Sequence, residues 1–240
     1  GAGTPRDLNI QGRHLKGIHF AMDYLIPSNL YVDGDTGRDK MISAEGRNVL
    51  VIGGGDTGSD CVGTAVRQGA KKVYQFEIMP KPMEWNSSYN PEWPHYPKIL
   101  RTSTSHEEGC ERDWNIQTES FEGDDRVKRV NFSRIRWEKD DQGSRPKPER
   151  ITRSDFSLDI DLVLLAAGFL HVEHSNLIHD FGIELDKRGN IQGDSEYSTS
   201  IPGIYTAGDS NTGASLVIRA MYHGRKAAES MISFLRNARP

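Results

Sequence analysis

Cysteine is scarce: Cys61 and Cys110 are the two thiols in 240 residues. That argues against a disulfide-stapled secreted chain, and neither Cys has a partner at metal-site spacing. A reduced, cytoplasmic setting is the expectation, with no metal site. Long apolar runs are also missing. Nothing approaches the roughly 20 residues needed to span a bilayer, and no signal peptide is visible, so no membrane contact is expected. Charge of one sign is missing too. Lys and Arg total 30 against 34 Asp and Glu, a formal net charge of −4 dispersed along the chain. No nucleic-acid surface is indicated. Arg134 and Arg136, near Trp137, alternate as the solvated face of a strand would. Finally there is no initiating Met. Gly1-Ala2-Gly3-Thr4-Pro5-Arg6 reads like the inside of a loop, so a longer parent chain is expected.

What is present centres on residues 49–58. Val49-Leu50-Val51-Ile52 is apolar and too short for a helix, which suits a strand buried on both faces. Gly53, Gly55 and Gly58 then fall in the spacing Gly-x-Gly-x-x-Gly, with Gly54, Asp56 and Thr57 between them, ahead of a helix-compatible stretch, Ser59 to Gln68. Each glycine has a distinct task at a dinucleotide: a tight turn at Gly53, close approach of a pyrophosphate at Gly55, close helix-on-strand packing at Gly58. The positive helix end favours the anion. Gly69 suits a left-handed cap, and a second strand is expected at Val73–Ile78. It places Glu77 about 20 residues past the last glycine, where an acid bonds the adenosine ribose. Strand, fingerprint, helix, strand and acid together point to a dinucleotide site.

The remainder is less decisive. Residues 1–17 read as an extended connector, His19–Leu25 as a helical turn or short strand, and Pro27–Lys40 as a mobile polar loop. Met79–Pro97 interleaves five prolines with Trp85, Tyr89, Trp93 and Tyr96. It is either a lid over the nicotinamide end or an ordered surface loop clamped by its own rings, and the second is favoured. Ser105–Arg112, with His106 and Cys110, reads as a surface segment more readily than as a substrate or partner contact. Ile116–Phe121, Val127–Phe132 and Ile135–Trp137 alternate as three strands of an antiparallel meander, turned by Gly123-Asp124-Asp125 and by Asp140–Gly143. Ile160–Gly168 is continuously apolar, suiting a central parallel strand with Gly168 at its ligand-facing end. A last strand, Ile204–Asp209, precedes a helix over about 214–235, whose Leu216, Val217, Ala220, Met221, Gly224, Ala228, Met231, Ile232 and Leu235 form an apolar stripe.

Taken together these residues resemble the glutamate synthase small-subunit family, within the flavin oxidoreductases that have paired dinucleotide-binding domains. The likeness is most specific at Gly1–Leu8, Val51–Cys61, Gln75-Phe76-Glu77, Trp93-Pro94, Thr102–Trp114 and Thr206-Ala207-Gly208-Asp209. The resemblance implies an α/β fold: a Rossmann-like NAD(P)-binding domain over 45–168 with an antiparallel meander, flanked by partial FAD-domain segments at 1–44 and 169–240. It implies that Gly208 and Asp209 meet the ribityl chain of FAD, and that Ser215, Leu216 and Val217 at a helix start face the flavin pyrimidine. It further implies hydride transfer from NADH or NADPH to FAD in the full-length protein. Iron–sulfur clusters would lie upstream, and electrons would pass to a large subunit that makes glutamate from glutamine and 2-oxoglutarate. The missing N-terminal half of the same chain and that large subunit are the implied partners. Hydride transfer needs no protein acid or base, so no catalytic side chain is assigned.

Two alternatives stay open: another NAD(P)H:flavin oxidoreductase, or a non-catalytic nucleotide-binding module. A stand-alone dehydrogenase would need a catalytic Tyr/Lys or His/Asp set beyond the fingerprint. Glu77 suits a free ribose diol and repels a 2′-phosphate, and the nearest cation in sequence is Lys81, so NADH is the expected preference.

Overall fold

Alternate residues of two buried strands point into two different cores. The computed structural model describes residues 1–85, 99–138 and 146–237, which divide into two units: Asp7–Ala167, and Gly1–Arg6 with Gly168–Pro240. In the larger unit a five-stranded parallel sheet runs in the order β1 (Ile18–Phe20), β9 (Leu162–Leu165), β2 (Asn48–Ile52), β3 (Lys72–Glu77), β4 (Glu111–Trp114). Val49 and Val51 of β2, with Leu162 and Leu164 of β9, turn to one side. There they meet Tyr24 and Leu25 of α1 (Ala21–Val32) and Cys61, Val62 and Ala65 of α2 (Asp56–Arg67). Leu50, Val163 and Leu165 turn to the other and meet Phe121, Val130 and Phe132 of an antiparallel sheet. Strands buried on both faces explain why the sequence shows runs rather than alternation there.

The antiparallel sheet differs from the expected meander. β5 (Ile116–Gly123) pairs with one long strand, β6 (Val127–Glu138), so the second and third expected strands are continuous. Nothing between Phe132 and Ile135 breaks the pleat, and Ser133, fully buried, keeps the ladder going. β6 pairs over Arg129–Phe132 with β8 (Phe156–Asp159) and over Ile135–Glu138 with β7 (Lys147–Arg150), two short strands that polarity concealed. Phe76, Phe132 and Phe156 join the two sheets, with ring centroids 5.1 Å apart for Phe76–Phe132 and 5.0 Å for Phe132–Phe156. The Asp140–Gly143 turn lies outside the described residues.

Pro27–Lys40 is not a loop throughout. α1 continues through Pro27 to Val32, and a 3-10 turn forms at Arg38–Lys40. Buried Tyr24, Leu25 and Ser28 hold that helix on the sheet, outweighing the one bond that Pro27 forgoes. His19–Leu25 is both alternatives in succession, strand then helix. From the stretch before residue 45, Leu15, Ile18, Tyr24, Leu25 and Ala44 contribute to the two cores of the larger unit.

In the smaller unit Gly1–Arg6 pairs with Gly168–Val172, for example Leu170 N–H to the Thr4 carbonyl at 2.9 Å. Ile178 of α4 (Asn176–Phe181) packs with Ile183 and Ile191. Among the described residues, the strand expected at Ile204–Asp209 is reduced to one bridge, Ser198–Tyr205. α5 (Asp209–Thr212) and α6 (Val217–Asn237) follow. The apolar stripe of α6 is largely uncovered: Val217 is 76% exposed, Met221 60% and Leu235 62%, and Ala227 is the buried residue of the helix among those described.

Candidate functional site

β2 ends at Ile52, and Gly53 turns the chain with a φ of +124° that only glycine adopts without strain. A Cβ there would also collide with the Ala166 carbonyl. At Gly58 a Cβ would collide with the Gly53 carbonyl, so α2 lies close on the strand it follows. Gly55 is different. Its Cβ direction meets nothing within 4 Å. The approach to the first turn of α2 is therefore open, and that turn presents unpaired N–H groups and the positive end of the helix.

Glu77, at the end of β3, points back to this bend. One carboxylate oxygen accepts the Gly54 N–H at 2.6 Å and the other accepts the Met79 N–H at 3.1 Å. Two backbone donors fix the carboxylate beside the glycine turn. Gly54, Gly55, Asp56 and Glu77 line a cleft of about 230 Å³. Gly53, Thr57 and Gly58 stand behind it as its frame.

The far wall was not legible in the sequence. Ser59, Met79, Pro80, Pro82, Ile99, Leu100, Arg101, Ser103, His106, Arg112 and Trp114 complete the lining. β4 adds to the edge of β3 and brings Arg112 opposite Gln75 and Trp114 opposite Glu77. The Arg112 guanidinium lies 5.1 Å from the Trp114 ring centroid, and the Lys81 ammonium 5.4 Å from it. The cations lining the cleft are Arg101 and Arg112; Lys81, the nearest to Glu77 in sequence, lies over the Trp114 ring. Burial lowers the pKa of Arg112 from its ordinary value.

His106 is likewise not a free surface residue. α3 (Thr104–Glu107) is a single turn capped by Ser103, whose hydroxyl lies 3.4 Å from the His106 N–H and also bonds Ser59. His106 itself reaches Gln75. Burial draws its imidazole below the ordinary value, and the Arg112 charge adds to that. Cys61, on the buried face of α2, is fully buried, its thiol pushed up to about 12 by burial, so it offers no nucleophile. Among the described residues no group of His, Cys, Asp and Glu is placed to hold a metal ion, and no helix is long and apolar enough to cross a membrane.

Gly168, Gly208, Asp209, Ser215, Leu216 and Val217 belong to the smaller unit and form a separate group. Gly168 (φ +84°) and Gly208 (φ +66°) both take left-handed backbone. One Asp209 oxygen accepts from the Ser215 N–H and hydroxyl, each at 3.2 Å. Leu216 and Val217 are exposed at the start of α6. A half-buried carboxylate beside a helix start is a donor–acceptor set that fits a polar chain and an electron-rich ring edge. Most of Met79–Pro97 lies outside the described residues, and with it the choice between lid and clamp.

The model of the pyridine nucleotide-disulphide oxidoreductase family matches residues 1–224. The chain belongs to that family. It is 43% identical over 98% of its length to the glutamate synthase [NADPH] small chain of Mycobacterium tuberculosis, covering 48% of that protein. It is 42% identical over 96% of its length to the glutamate synthase [NADH] of Schizosaccharomyces pombe, covering 11% of it. With the Bacillus subtilis [NADPH] small chain the identity is 34%, and 49% of that protein is covered. The chain thus spans about half the length of the curated bacterial relatives it matches. Among solved structures, T. acidophilum thioredoxin reductase aligns with a TM-score of 0.61 at 23% identity, over 96% of this chain and 62% of that one. M. tuberculosis FprA in complex with NADPH aligns with a TM-score of 0.68 at 15% identity, over 99% and 63%. Those likenesses bear on the fold, and the α/β class with parallel and antiparallel sheets is the one expected.

Proposed function

We propose that this chain is the pyridine-nucleotide-binding and electron-input part of a glutamate synthase small subunit. In this reading NADH or NADPH binds along the glycine bend of the larger unit. Asp209 and the start of α6 contribute to an FAD site in the whole protein. The observation that carries the reading is the pairing of an open glycine bend with Glu77 turned onto it: Gly55 faces empty space, and the carboxylate is held at the Gly54 N–H. A diphosphate would meet the amides at the start of α2, and the adenosine ribose would meet Glu77.

FAD, when bound, supplies a two-electron acceptor for hydride. The chain's own work is binding and orientation. Asp209 accepts hydrogen bonds and would take one from the ribityl chain, with Gly208 keeping the backbone close. The N–H groups at Ser215, Leu216 and Val217 would face the pyrimidine edge of the flavin. The segments 1–44 and 169–240 are assigned to the FAD domain, and 45–168 to the nucleotide domain. The large subunit, upstream iron–sulfur clusters and the synthesis of glutamate from glutamine and 2-oxoglutarate belong to the whole protein.

NADH is the proposed preference. Glu77 is pinned by two backbone donors, so it cannot easily swing aside for a 2′-phosphate, although Arg101 and Arg112 share the cleft. Calorimetric titration with NADH and NADPH tests both levels. Binding of either supports the site, and a lower Kd for NADPH would refute the preference. Failure of both to bind removes the reading.

A further inference from the structure

A file of polar contacts runs behind the cleft from Ser103 to Gly53. The Ser103 N–H donates to Nδ1 of His106 at 3.1 Å. Nε2 of His106 lies 2.8 Å from Oε1 of Gln75. The Gln75 amide nitrogen donates to the Gly53 carbonyl at 3.0 Å. The two ends have fixed polarity, because a backbone N–H only donates and a carbonyl only accepts. Every link between them then follows. Nδ1 must accept, the ring proton must sit on Nε2, and Gln75 must present its oxygen to His106 and its nitrogen to Gly53. A single protonation state satisfies the file, the neutral Nε2–H imidazole.

The surroundings leave little alternative. Gln75 is 2% exposed, so its amide has no access to bulk water. α2 approaches so closely that a Cβ on Gly58 would strike both the Gly53 carbonyl and the Gln75 amide nitrogen. Ser103 is tied a second time, through its hydroxyl, to Ser59 in the first turn of α2. The strand end, the helix start and the far wall are therefore joined through one imidazole.

We propose that His106 is a positioning residue for nucleotide binding: by fixing Gln75 it holds the Gly53 carbonyl, and with it the peptide planes of the glycine bend that the diphosphate approaches. This rests on the nucleotide reading of the same cleft. The Ser103 hydroxyl also lies 3.1 Å from Nδ1, so a proton there would turn to that oxygen, confront the Ser103 N–H with a second donor and open the file. Arg112 from β4 is the charge that acts on the ring; Glu77 from β3, Asp56 from α2 and Arg101 line the same cleft, Glu107 follows His106 on α3, Cys110 lies near Arg112, and the Arg67–Glu108 pair joins α2 to the end of α3. Carboxylates and guanidiniums ordinarily titrate far from neutrality, so a charge change there falls to the imidazole.

The test is the pH profile of NADH and NADPH affinity for the unsubstituted protein, His106→Gln and His106→Leu. Gln keeps an amide donor for Gln75 and cannot titrate. His106→Leu is expected to weaken binding about tenfold, the scale of an orphaned buried partner, and His106→Gln to restore most of it. Affinity of the unsubstituted protein should fall on acidification more steeply than that of His106→Gln. Equal affinity for His106→Leu and the unsubstituted protein overturns the proposal, as do identical pH profiles for the latter and His106→Gln. Nitrogen-15 spectra of the unsubstituted ring need neither variant nor nucleotide. They should show the neutral Nε2–H form near neutral pH, and a proton on Nδ1 overturns the assignment. Failure of the unsubstituted protein to bind either nucleotide sinks the nucleotide reading and this proposal together, whereas failure of His106 alone leaves that binding intact.

Discussion

At single residues, the three fingerprint glycines separate binding from folding. Gly55 faces open space, so a side chain there fits the folded protein and intrudes where the diphosphate would lie. Gly55→Val is expected to keep its melting temperature within a few degrees and lose NADH binding by calorimetry. Unchanged affinity in a folded variant would remove the fingerprint assignment. Gly58→Val should do the opposite kind of damage, since its Cβ would strike the Gly53 carbonyl. A loss of about 1–3 kcal/mol in urea unfolding is expected, the usual scale of overpacking. Glu77 supports a third prediction. Glu77→Ala should narrow the ratio of NADH to NADPH affinity by about tenfold, because in the proposed reading the carboxylate would repel a 2′-phosphate. A ratio unchanged by that substitution would move the discrimination to other residues. These positions were readable in the sequence because each is set by spacing within some 25 residues. His106, Ser103 and Arg112 were not. They reach the cleft only because β4 pairs with β3, and no local pattern announces that pairing.

Elements show the same division between local and distant causes. β2, α2 and β3 were legible from an apolar run, a glycine turn and a left-handed cap, all short-range signals. Gly69 does cap the helix, with a φ of +85°. The continuation of α1 past Pro27 was not legible, since proline reads as a stop unless the helix is held from outside. β7 and β8 were hidden because edge pairing on β6 tolerates polar residues: Lys147–Arg150 is exposed throughout. β1 carries a pH prediction. Burial draws the His19 imidazole down from its ordinary value, Asp23 partly opposing and Arg126, Arg13 and Arg47 assisting. The same direction holds at His106. A lowered folded-state pKa means the unfolded chain binds more protons between that value and about 6.5. Stability contributed by these neutral imidazoles is therefore present above about pH 6.5 and lost as the pH falls towards the folded values. The melting temperature should drop on acidification through that window, and less so in His19→Gln. A His19→Gln variant that tracks the unsubstituted protein across the window would deny β1 any part in it.

For the whole molecule the question is whether 240 residues can hold a flavin. They contain one Gly-x-Gly-x-x-Gly, at Gly53–Gly58, and it serves the larger unit. In the proposed reading the smaller unit would offer Asp209 and the start of α6 to a ribityl chain and a pyrimidine edge, with no second Gly-x-Gly-x-x-Gly among the 240 residues for the flavin's diphosphate. The bare stripe of α6, with Val217 and Met221 mostly exposed, fits an element whose covering surface is supplied elsewhere. The chain also spans about half of its bacterial relatives. Contacts to one end of a cofactor rarely suffice, because the cost of immobilising it must be met by the whole binding surface. The purified chain is therefore expected to be colourless and to show little NADH oxidation with artificial acceptors, while still binding NADH. A visible flavin spectrum that survives gel filtration would show that the smaller unit holds the cofactor unaided, and the assignment of a separate diphosphate loop would have to be abandoned.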